Sequence, residues 1–342
     1  MSGPHPAVAQ VRTAVRRDLD AMDRPTGSQP GGPLVLVACS GGPDSLALAA
    51  GLAFVAPRRG WAAGAVIVDH GLQPGSDRVA ARAAEQCSHL GLDPVDVVPA
   101  EIGGHREQGG PEAVARTARY AAIDQVAARR SAVAVLLGHT LDDQAETVLL
   151  ALARGSGARS LAGMAPVRGL LRRPLLGVRR SVLHEACEAQ GLTVWQDPTN
   201  QAGGNRRADV RHRLLPELVD VLGPGVTESL ARTADLLRED AVVLDGLGAE
   251  LMERAAVPCS ELDPTSGPAL DVRTLAEAAP ALRRRALRSA LVEWGSPAGS
   301  LAATHVLAVE MLVTAWSGQG PVHVPGVTVA RRYGRLSPEI TS

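Results

Sequence analysis

A loop of glycine, serine and aspartate residues between an apolar run and a helical stretch is the first candidate for chemistry. Ser40-Gly41-Gly42-Pro43-Asp44-Ser45 follows Leu34–Ala38 and leads directly into Leu46–Val55. Adjacent glycines let backbone N–H groups turn toward a ligand, and a helix N-terminus adds free donors and a positive dipole end. Asp44 repels a bare phosphate but suits one that carries Mg²⁺. The loop therefore predicts a phosphate site with Asp44 as metal ligand; the alternative is a plain turn with Asp44 or Ser45 as N-cap.

A second polar group follows another apolar run. Ala132–Leu137 is followed by a stretch that contains His139, Asp143 and Glu146. If a helix begins near Thr140, the two acids lie on adjoining parts of one face. Acids and a histidine at the mouth of a sheet favour cation binding or catalysis. The alternative is a capping box that starts at Thr140, which would explain the first acid but not the histidine or the second acid.

Two further residues form a weaker candidate. Asp69 and His70 follow the apolar run Ala65–Val68. An acid at this position can contact a nucleotide base or ribose, and the histidine can line the same pocket. Alternatively, Asp69 caps a turn before Gly71. The sequence leaves both interpretations open.

Arginines at helical spacing are candidates for phosphate contacts. Arg207 and Arg211 are four residues apart, and so are Arg116 and Tyr120, with Arg119 beside them. The planar guanidinium fork suits phosphate better than other side chains do. A solvated surface remains the alternative for each arginine taken alone.

Alternating strands and helices must position these loops. Short apolar runs are typical of strands buried on both faces, and their alternation with helical stretches predicts an α/β fold with a doubly wound, Rossmann-like parallel sheet. Ligands of such sheets bind beyond the carboxyl ends of the strands, where the candidate residues lie. The predicted strands are Leu34–Ala38, Ala65–Val68, Val95–Val98 and Ala132–Leu137, and the predicted helices are Leu46–Val55, Asp77–Leu90, Pro111–Arg130 and Leu141–Leu152.

The pattern changes after about Leu214, which predicts a second, smaller and mainly helical domain. Amphipathic stretches cover Val226–Ala255, Ala281–Glu293 and Ala302–Ala315, and Val322–Val329 is typical of a hairpin with a Pro-Gly turn. We place the two domains at 1–218 and 219–342. A chain of 342 residues is longer than one core usually serves.

The charge of the chain is unevenly distributed. The formal net charge is -1, but Arg154–Arg213 carries eleven arginines against four acids, and Ala281–Ser342 carries seven against three. Such segregation can hold a polyanion on one surface. A solvated surface is again the alternative.

Residue types that are missing exclude several classes of site. All 35 basic residues are arginine, so a Walker A loop and a Schiff-base lysine are both excluded. The four cysteines contain no CxxC pair, which disfavours zinc, iron–sulfur and disulfide frameworks. No apolar run is long enough to cross a membrane, so we expect a soluble cytoplasmic protein with no membrane partner.

Taken together, these segments resemble the tRNA(Ile)-lysidine synthase family of PP-loop ATP pyrophosphatases. The resemblance covers roughly Leu34 to Leu222, and the family usually has an Arg-Asn pair where this chain has Arg207-Ala208. The matching segments are Ser40–Ser45, Val68–Leu72, Ala115–Tyr120, Gly138–Gly157, Leu161–Met164, Arg173–Leu176, Trp195–Asn200 and Leu214–Leu218.

The resemblance implies ATP and Mg²⁺ as cofactors, and free L-lysine and an isoleucine tRNA with a CAU anticodon as partners. ATP adenylates the C2 oxygen of the wobble cytidine, and lysine then displaces AMP to give lysidine. The resemblance also implies that residues 219–342 bind tRNA and that the protein forms a homodimer. Reversing the arginines of Ala281–Arg288 should then weaken tRNA binding.

The resemblance also implies roles for the candidate residues. Ser40–Ser45 would hold the ATP phosphates, with Asp44 on the Mg²⁺. The polar residues after the fourth strand would handle the metal, the lysine or its proton; they are His139, Asp143 and Glu146. Arg207 and Arg211 would stabilise phosphate charge.

Three alternatives stay open on sequence alone. A tRNA thiolase of the same fold would need cysteines or a cluster to deliver sulfur. A small-molecule amidating ligase would not need the arginine-rich stretches, and a non-catalytic RNA-binding scaffold would not need the phosphate loop and the acids.

Overall fold

The computed structural model describes residues 3–25, 32–69, 71, 75–100, 111–155, 157–195, 206–257 and 268–339. The chain packs as two compact units, the first made of Met1–Leu150 and Gly163–Arg232 and the second of Ala151–Ala162 and Thr233–Ser342. The predicted domain boundary between residues 218 and 219 stays a prediction. Within the described ranges, none of the helices combines the length and the apolar character that a membrane crossing requires.

The helices agree closely with the amphipathic and apolar patterns of the sequence. They are α1 (Pro6–Asp20), α2 (Pro43–Val55), α3 (Ser76–His89), α4 (Pro111–Arg129), α5 (Leu141–Ala153), α6 (Ala158–Leu161), α7 (Arg180–Glu188), α8 (Arg206–Asp209), α9 (Leu215–Leu222), α10 (Val226–Ala255), α11 (Val272–Glu277), α12 (Pro280–Glu293) and α13 (Ala303–Thr314). A π-helical turn, Val210–Leu214, joins α8 to α9. The short helices α6, α8, α9 and α11 and the helix α7 were not predicted.

The first unit contains the predicted parallel sheet, which the structure confirms. Its strands are β1 (Leu34–Ala38), β2 (Ala62–Asp69), β3 (Val95–Pro99), β4 (Ala134–Leu136), β5 (Val167–Arg168) and β6 (Leu171–Arg172). Their order is β3-β2-β1-β4-β6-β5, and all neighbours are parallel except the edge pair β5–β6. Because β1 lies between β2 and β4, the loops that follow β1 and β4 are neighbours at one edge of the sheet.

Alternating residues of β1 show why the sheet is covered on both faces. Val35 and Val37 pack into a core with residues of α1, α2, α3 and α7. Leu36 points to the opposite face and packs with Ile123 and Val126 of α4. Successive side chains of a strand point to opposite faces, so a strand with a core on each side has to be a continuous apolar run.

The second unit combines helices with a small antiparallel sheet. Its strands are β7 (Leu270–Asp271), β8 (Val322–Val324), β9 (Val327–Arg332) and β10 (Arg335–Pro338), in the order β7-β10-β9-β8. β8 and β9 pair across Pro325-Gly326, at the turn that the sequence indicates. β7 and β10 were not predicted because two- and four-residue strands carry almost no periodic signal.

Candidate active site

The loop after β1 is held by hydrogen bonds among its own residues. The backbone N of Ser40 donates to Ser45 Oγ at 3.1 Å, and this hydroxyl donates to the carbonyl of Gly42 at 3.0 Å. Gly41 has a φ of +81°, which glycine adopts without strain. Pro43 begins α2, and its fixed φ suits the first helical position. The loop therefore presents the N-terminus of a buried helix to a ligand, as an anion site requires.

Asp44 is the charged residue of this loop and fits a Mg²⁺ ligand. Burial raises its pKa to about 6, against the opposing charge of Arg180. Its Oδ1 is buried and has no hydrogen-bond partner among the described residues. A bound cation would satisfy this oxygen and favour the ionised form. In the described ranges no group of three or more His, Cys, Asp or Glu residues could hold a metal, but Mg²⁺ needs only one or two carboxylates besides substrate phosphates and water.

Gly138 lets the end of β4 lie close to Ser40–Ser45, which we call the phosphate loop. A Cβ atom on Gly138 would lie 3.1 Å from the backbone carbonyl carbon and oxygen of Asp44 and from the backbone N of Ser45. This spacing is below ordinary van der Waals contact, so only glycine fits without a shift of the backbone.

The acidic loop after β4 is both a capping box and part of the candidate site. The backbone N and Oγ1 of Thr140 donate to Asp143 Oδ2 at 2.8 and 2.9 Å, and the backbone N of Asp143 donates to Thr140 Oγ1 at 3.1 Å. The two interpretations of the sequence are therefore compatible. The cap at the start of α5 uses one carboxylate oxygen of Asp143 and leaves the other for the site.

Glu146 is fully buried and surrounded by three arginines. Its Oε1 accepts from Arg211 Nε at 2.7 Å and from Nη1 and Nη2 of Arg180 at 3.3 Å. Its Oε2 accepts from Arg207 Nε and Arg211 Nη2, both at 3.1 Å. We call Arg180, Arg207 and Arg211 the arginine cluster. A carboxylate with no exposed surface requires such partners because an unpaired buried charge is very costly.

Arg180 connects the acidic loop to the phosphate loop. Its Nη2 donates to Asp143 Oδ1 at 2.8 Å, and its Nε lies 3.5 Å from Asp44 Oδ2. Burial alone would raise the pKa of Asp143, but the charge of Arg180 and the backbone N–H of Thr140 hold it below the usual value. Sequence reasoning missed Arg180. In the sequence it appears only as one of two adjacent arginines, Arg179-Arg180, at the start of a helix that was not predicted. The same stretch contains many other arginines, so nothing distinguishes this one.

Arg207 and Arg211 flank the start of the π-helical turn. Such wide turns are frequent at functional sites. Besides its bond to Glu146, Arg207 donates to Thr147 Oγ1 at 2.7 Å. The alanine at position 208, where the family usually has asparagine, therefore does not keep Arg207 away from the acids.

His139 is a neutral imidazole in this environment. Burial lowers its pKa to about 4, although the nearby charge of Asp143 opposes the shift. Its Nδ1 is buried and has no hydrogen-bond partner in the described part of the chain. At neutral pH one ring nitrogen of this side chain can donate a hydrogen bond and the other can accept one, but the ring is too weak a base to take up a second proton.

The weaker candidates make contacts of their own. Asp69 ends β2 and accepts from the backbone N of Gly71 at 3.0 Å, as the turn interpretation predicts. His70 lies outside the described residues. Arg116 and Arg119 are exposed on α4, where Arg116 donates to Tyr120 Oη at 3.1 Å. The charge of Arg116 adds to the burial that lowers the pKa of His139.

Two cavities in the first unit adjoin these residues. One of about 270 Å³ is lined by acids, arginines and aliphatic side chains: Asp142, Glu146, Arg179, Arg180, Arg211, Leu215, Pro216, Val219, Asp220 and Thr227. The other, of about 340 Å³, includes Gly41, two arginines (Arg78 and Arg82) and Trp195. Arginine and tryptophan are the side chains that bind phosphate and stack on bases.

Comparisons with known proteins agree with this arrangement. Residues 13–218 match the PP-loop domain, and residues 270–337 match the TilS substrate binding domain. The tRNA(Ile)-lysidine synthase of Thermobifida fusca is 53% identical, with 97% of each chain covered. The same enzyme of Streptomyces coelicolor is 50% identical, again with 97% of each chain covered.

The family follows from these relatives, and the fold has a solved neighbour. The first unit makes the chain a PP-loop enzyme with an ATP-binding fold. The chain belongs to the tRNA(Ile)-lysidine synthase family. A U34-tRNA thiolase, NcsA from Methanococcus maripaludis, matches with a TM-score of 0.55 and 19% identity over 68% of this chain and 80% of its own. At that identity the likeness establishes the fold alone.

Proposed function

We propose that this protein joins free L-lysine to C2 of the wobble cytidine of a CAU-anticodon isoleucine tRNA, at the expense of ATP. The products are lysidine in the tRNA, AMP and pyrophosphate. The observation that carries the proposal is the contact between the phosphate loop and the buried acids through Arg180. It supports a site in which a triphosphate and a cationic substrate lie side by side. Family membership supports tRNA as the macromolecular substrate.

The first step forms an adenylated cytidine. The cytosine C2 oxygen attacks the α-phosphorus of ATP, the bond to the β-phosphate oxygen breaks, and pyrophosphate leaves. The loop Ser40–Ser45 binds the phosphates, and the arginine cluster stabilises negative charge on them as it develops. Asp44 would hold Mg²⁺, which would neutralise phosphate charge when bound.

The second step replaces AMP by lysine. An amine of lysine loses a proton to solvent and attacks C2, and the bond from C2 to the AMP oxygen breaks. A second proton then passes from the new nitrogen to solvent. Asp143 and Glu146 attract the ammonium form and orient it. His139 has a pKa of about 4, so its part is a hydrogen bond from the neutral ring rather than proton storage.

The cavity beside the arginine cluster suits the lysine substrate. Its volume of about 270 Å³ is slightly below the range that begins at about 300 Å³ for drug-sized ligands, which suits a ligand as small as an amino acid. Glu146 and Asp142 provide anionic oxygens, while Leu215 and Val219 provide an aliphatic wall for a methylene chain. The cavity next to Gly41, with Trp195 and Arg82, supports contact with the nucleotide part of a substrate.

Sulfur transfer is less well supported. The described cysteines, Cys39, Cys87 and Cys187, are all buried, and Cys259 lies outside the described residues. A thiolase needs thiols or a cluster at an accessible position. Homodimer formation and tRNA binding by residues 219–342 are further parts of the proposal that the family suggests.

The test is nucleoside mass analysis of the isoleucine tRNA after incubation with the protein, ATP and isotope-labelled lysine. A nucleoside with the mass of lysidine and the full isotope label is expected. Pyrophosphate release should require the tRNA. Release without tRNA would indicate a small-molecule ligase, and no release would indicate a scaffold; either would contradict the proposal.

A further inference from the structure

Arg180 is the member of the arginine cluster that reaches both halves of the site. On one side its Nη2 binds Asp143 Oδ1 at 2.8 Å and Glu146 Oε1 at 3.3 Å. On the other side its Nε lies 3.5 Å from Asp44 Oδ2, in the phosphate loop. One guanidinium therefore contacts the acids that we assign to the ammonium and the carboxylate that we assign to the metal.

The buried acids are already saturated with positive charge. Each carboxylate oxygen of Glu146 accepts hydrogen bonds from two arginines. Oδ1 of Asp143, the oxygen that does not cap α5, accepts from Arg180 and Arg211. An ammonium can pair with these oxygens only if a guanidinium leaves. The two bonds from Arg180 to Glu146, at 3.3 Å, are longer than those from Arg211 and Arg207, at 2.7 to 3.1 Å. The bond from Arg180 to Asp143 Oδ1, at 2.8 Å, is shorter than the one from Arg211, at 3.1 Å. Arg180 is distinguished instead by its place beside Asp44, where a ligand at that loop can draw its guanidinium away.

We propose that Arg180 couples the binding of the two small substrates. In the free protein its guanidinium binds Asp143 and Glu146. A triphosphate bound at the loop of Asp44 attracts the guanidinium, which then leaves these two acids. The freed acids then bind the lysine ammonium. This inference rests on the proposed function.

The geometry explains why the exchange needs only a side-chain movement. The backbone N of Arg180 donates to Asp142 Oδ2 at 2.7 Å, which fixes the start of α7. The guanidinium fork exchanges a carboxylate for phosphate oxygens without loss of hydrogen bonds. Arg180 is therefore a positioning residue: it decides when the acids are available.

Coupling of this kind is reciprocal and measurable. If ATP tightens lysine binding by some factor, lysine tightens ATP binding by the same factor. Direct attraction between the triphosphate and the ammonium would also couple the two ligands. The two explanations differ because direct attraction does not require Arg180.

The experiment measures the dissociation constant of lysine by titration calorimetry, with and without Mg²⁺ and an ATP analogue whose α,β-bridge is a methylene group. In the native protein the analogue should tighten lysine binding by ~10-fold or more. In Arg180→Gln the factor should fall below ~2-fold, chiefly because lysine binds better without the analogue. Arg130→Gln is the control, since Arg130 pairs with Asp96 on β3 and lines neither cavity; it should keep the native factor.

Two results would overturn the inference. In one, the ATP analogue leaves the lysine dissociation constant of the native protein nearly unchanged. In the other, the analogue tightens lysine binding to Arg180→Gln as much as to the native protein. If circular dichroism shows that Arg180→Gln does not fold, Arg180→Lys replaces it; a shorter cation without the fork should still lower the factor, and an unchanged factor counts against the inference. A native protein that makes lysidine but shows no coupling refutes this inference alone. A protein that neither makes lysidine nor binds lysine refutes the proposed function as well.

Discussion

At the scale of single residues, the site contains a carboxylate whose burial opposes folding. The pKa of Asp44 rises from 3.8 to about 6 in the folded protein, so folding favours its protonated form. The corresponding stabilisation is complete below pH 3.8 and is lost as the pH rises through about 6. At neutral pH the ionised group therefore reduces stability, as is common for residues kept for function.

Asp44→Asn should abolish activity and stabilise the protein. The amide cannot serve as a charged Mg²⁺ ligand, so tRNA-dependent pyrophosphate release should disappear. The free energy of unfolding at pH 7.5 should rise by about 2 kcal/mol, because the substitution removes the cost of burying the charge. Urea unfolding at pH 7.5 and at pH 4 measures the effect, and the gain should shrink at the lower pH. Near-normal pyrophosphate release would refute the role of Asp44.

The same carboxylate should produce the acid limb of the pH profile. kcat/KM for Mg·ATP should rise with pH through about 6, because the free enzyme needs ionised Asp44 to bind the metal. His139, with a pKa of about 4, should not contribute there. In His139→Gln the residual activity should keep the limb; its disappearance in that variant would assign the titration to the imidazole instead.

At the scale of elements, the sequence predicts the parts of the site that follow from one strand and its loop. The phosphate loop and the acids after β4 were recognisable because a buried strand is a continuous apolar run and its last residue points to the ligand edge. Arg180 was not recognisable, because its role depends on a contact between α7 and α5. These two helices are far apart in the sequence. The distance from Arg180 to Asp143 is a tertiary property, which spacing along the chain does not encode.

Helix α12 shows the same limit for the arginines of the second unit. The predicted tRNA-binding role of Ala281–Arg288 assumed exposed side chains, but Arg283 is buried. Its Nε donates to Glu310 Oε1 at 2.9 Å, and its Nη1 donates to the carbonyl of Ala278 at 2.8 Å. Arg288 donates to the carbonyls of Leu301 and Ala298. These arginines hold the unit together, so reversing them would test folding rather than RNA binding.

Arg283→Met should destabilise the second unit. The substitution leaves Glu310 buried with Arg284 as its ion-pair partner and removes the hydrogen bonds to the end of α11, a loss of about 3 kcal/mol. Urea unfolding followed by tryptophan fluorescence measures the change. Arg284→Met is the control, because half of that side chain is exposed and the loss should stay within about 1 kcal/mol. Equal unfolding midpoints for the Arg283 variant and the native protein would contradict the assignment.

At the scale of the whole molecule, the arginine excess of Arg154–Arg213 is not a simple surface patch. Arg172 binds Asp18 at 2.8 Å, and Arg173 is buried and donates to the carbonyl of Ala165. The cluster around Glu146 takes three more. The exposed members that remain in the first unit are Arg168, Arg206 and Arg213, which is why a near-neutral chain can still present positive charge to a polyanion.

Reversal of these three exposed arginines to glutamate should weaken tRNA binding. The slope of log affinity against log salt should become shallower by ~2, since each lost phosphate contact removes about 0.7 to 0.9. Filter binding at several salt concentrations measures the slope. Arg17→Glu, an exposed reversal on α1, is the control and should leave it nearly unchanged. An unaltered slope in the triple variant would remove these residues from the tRNA surface.

Gly138 carries a hydrogen atom in place of a side chain, which lets the end of β4 approach the phosphate loop closely. A Cβ atom at this position would lie 3.1 Å from the backbone of Asp44 and Ser45, so the spacing between the phosphate loop and the acids after β4 depends on the absence of a side chain here. Gly138→Ala should therefore separate the two segments by a few tenths of an ångström: each substrate binds nearly as before, whereas kcat falls by ~10-fold, since a misplacement of about 1 Å can cost ~100-fold. Separate binding and turnover measurements would distinguish this separation from a general loss of folding, which would lower both.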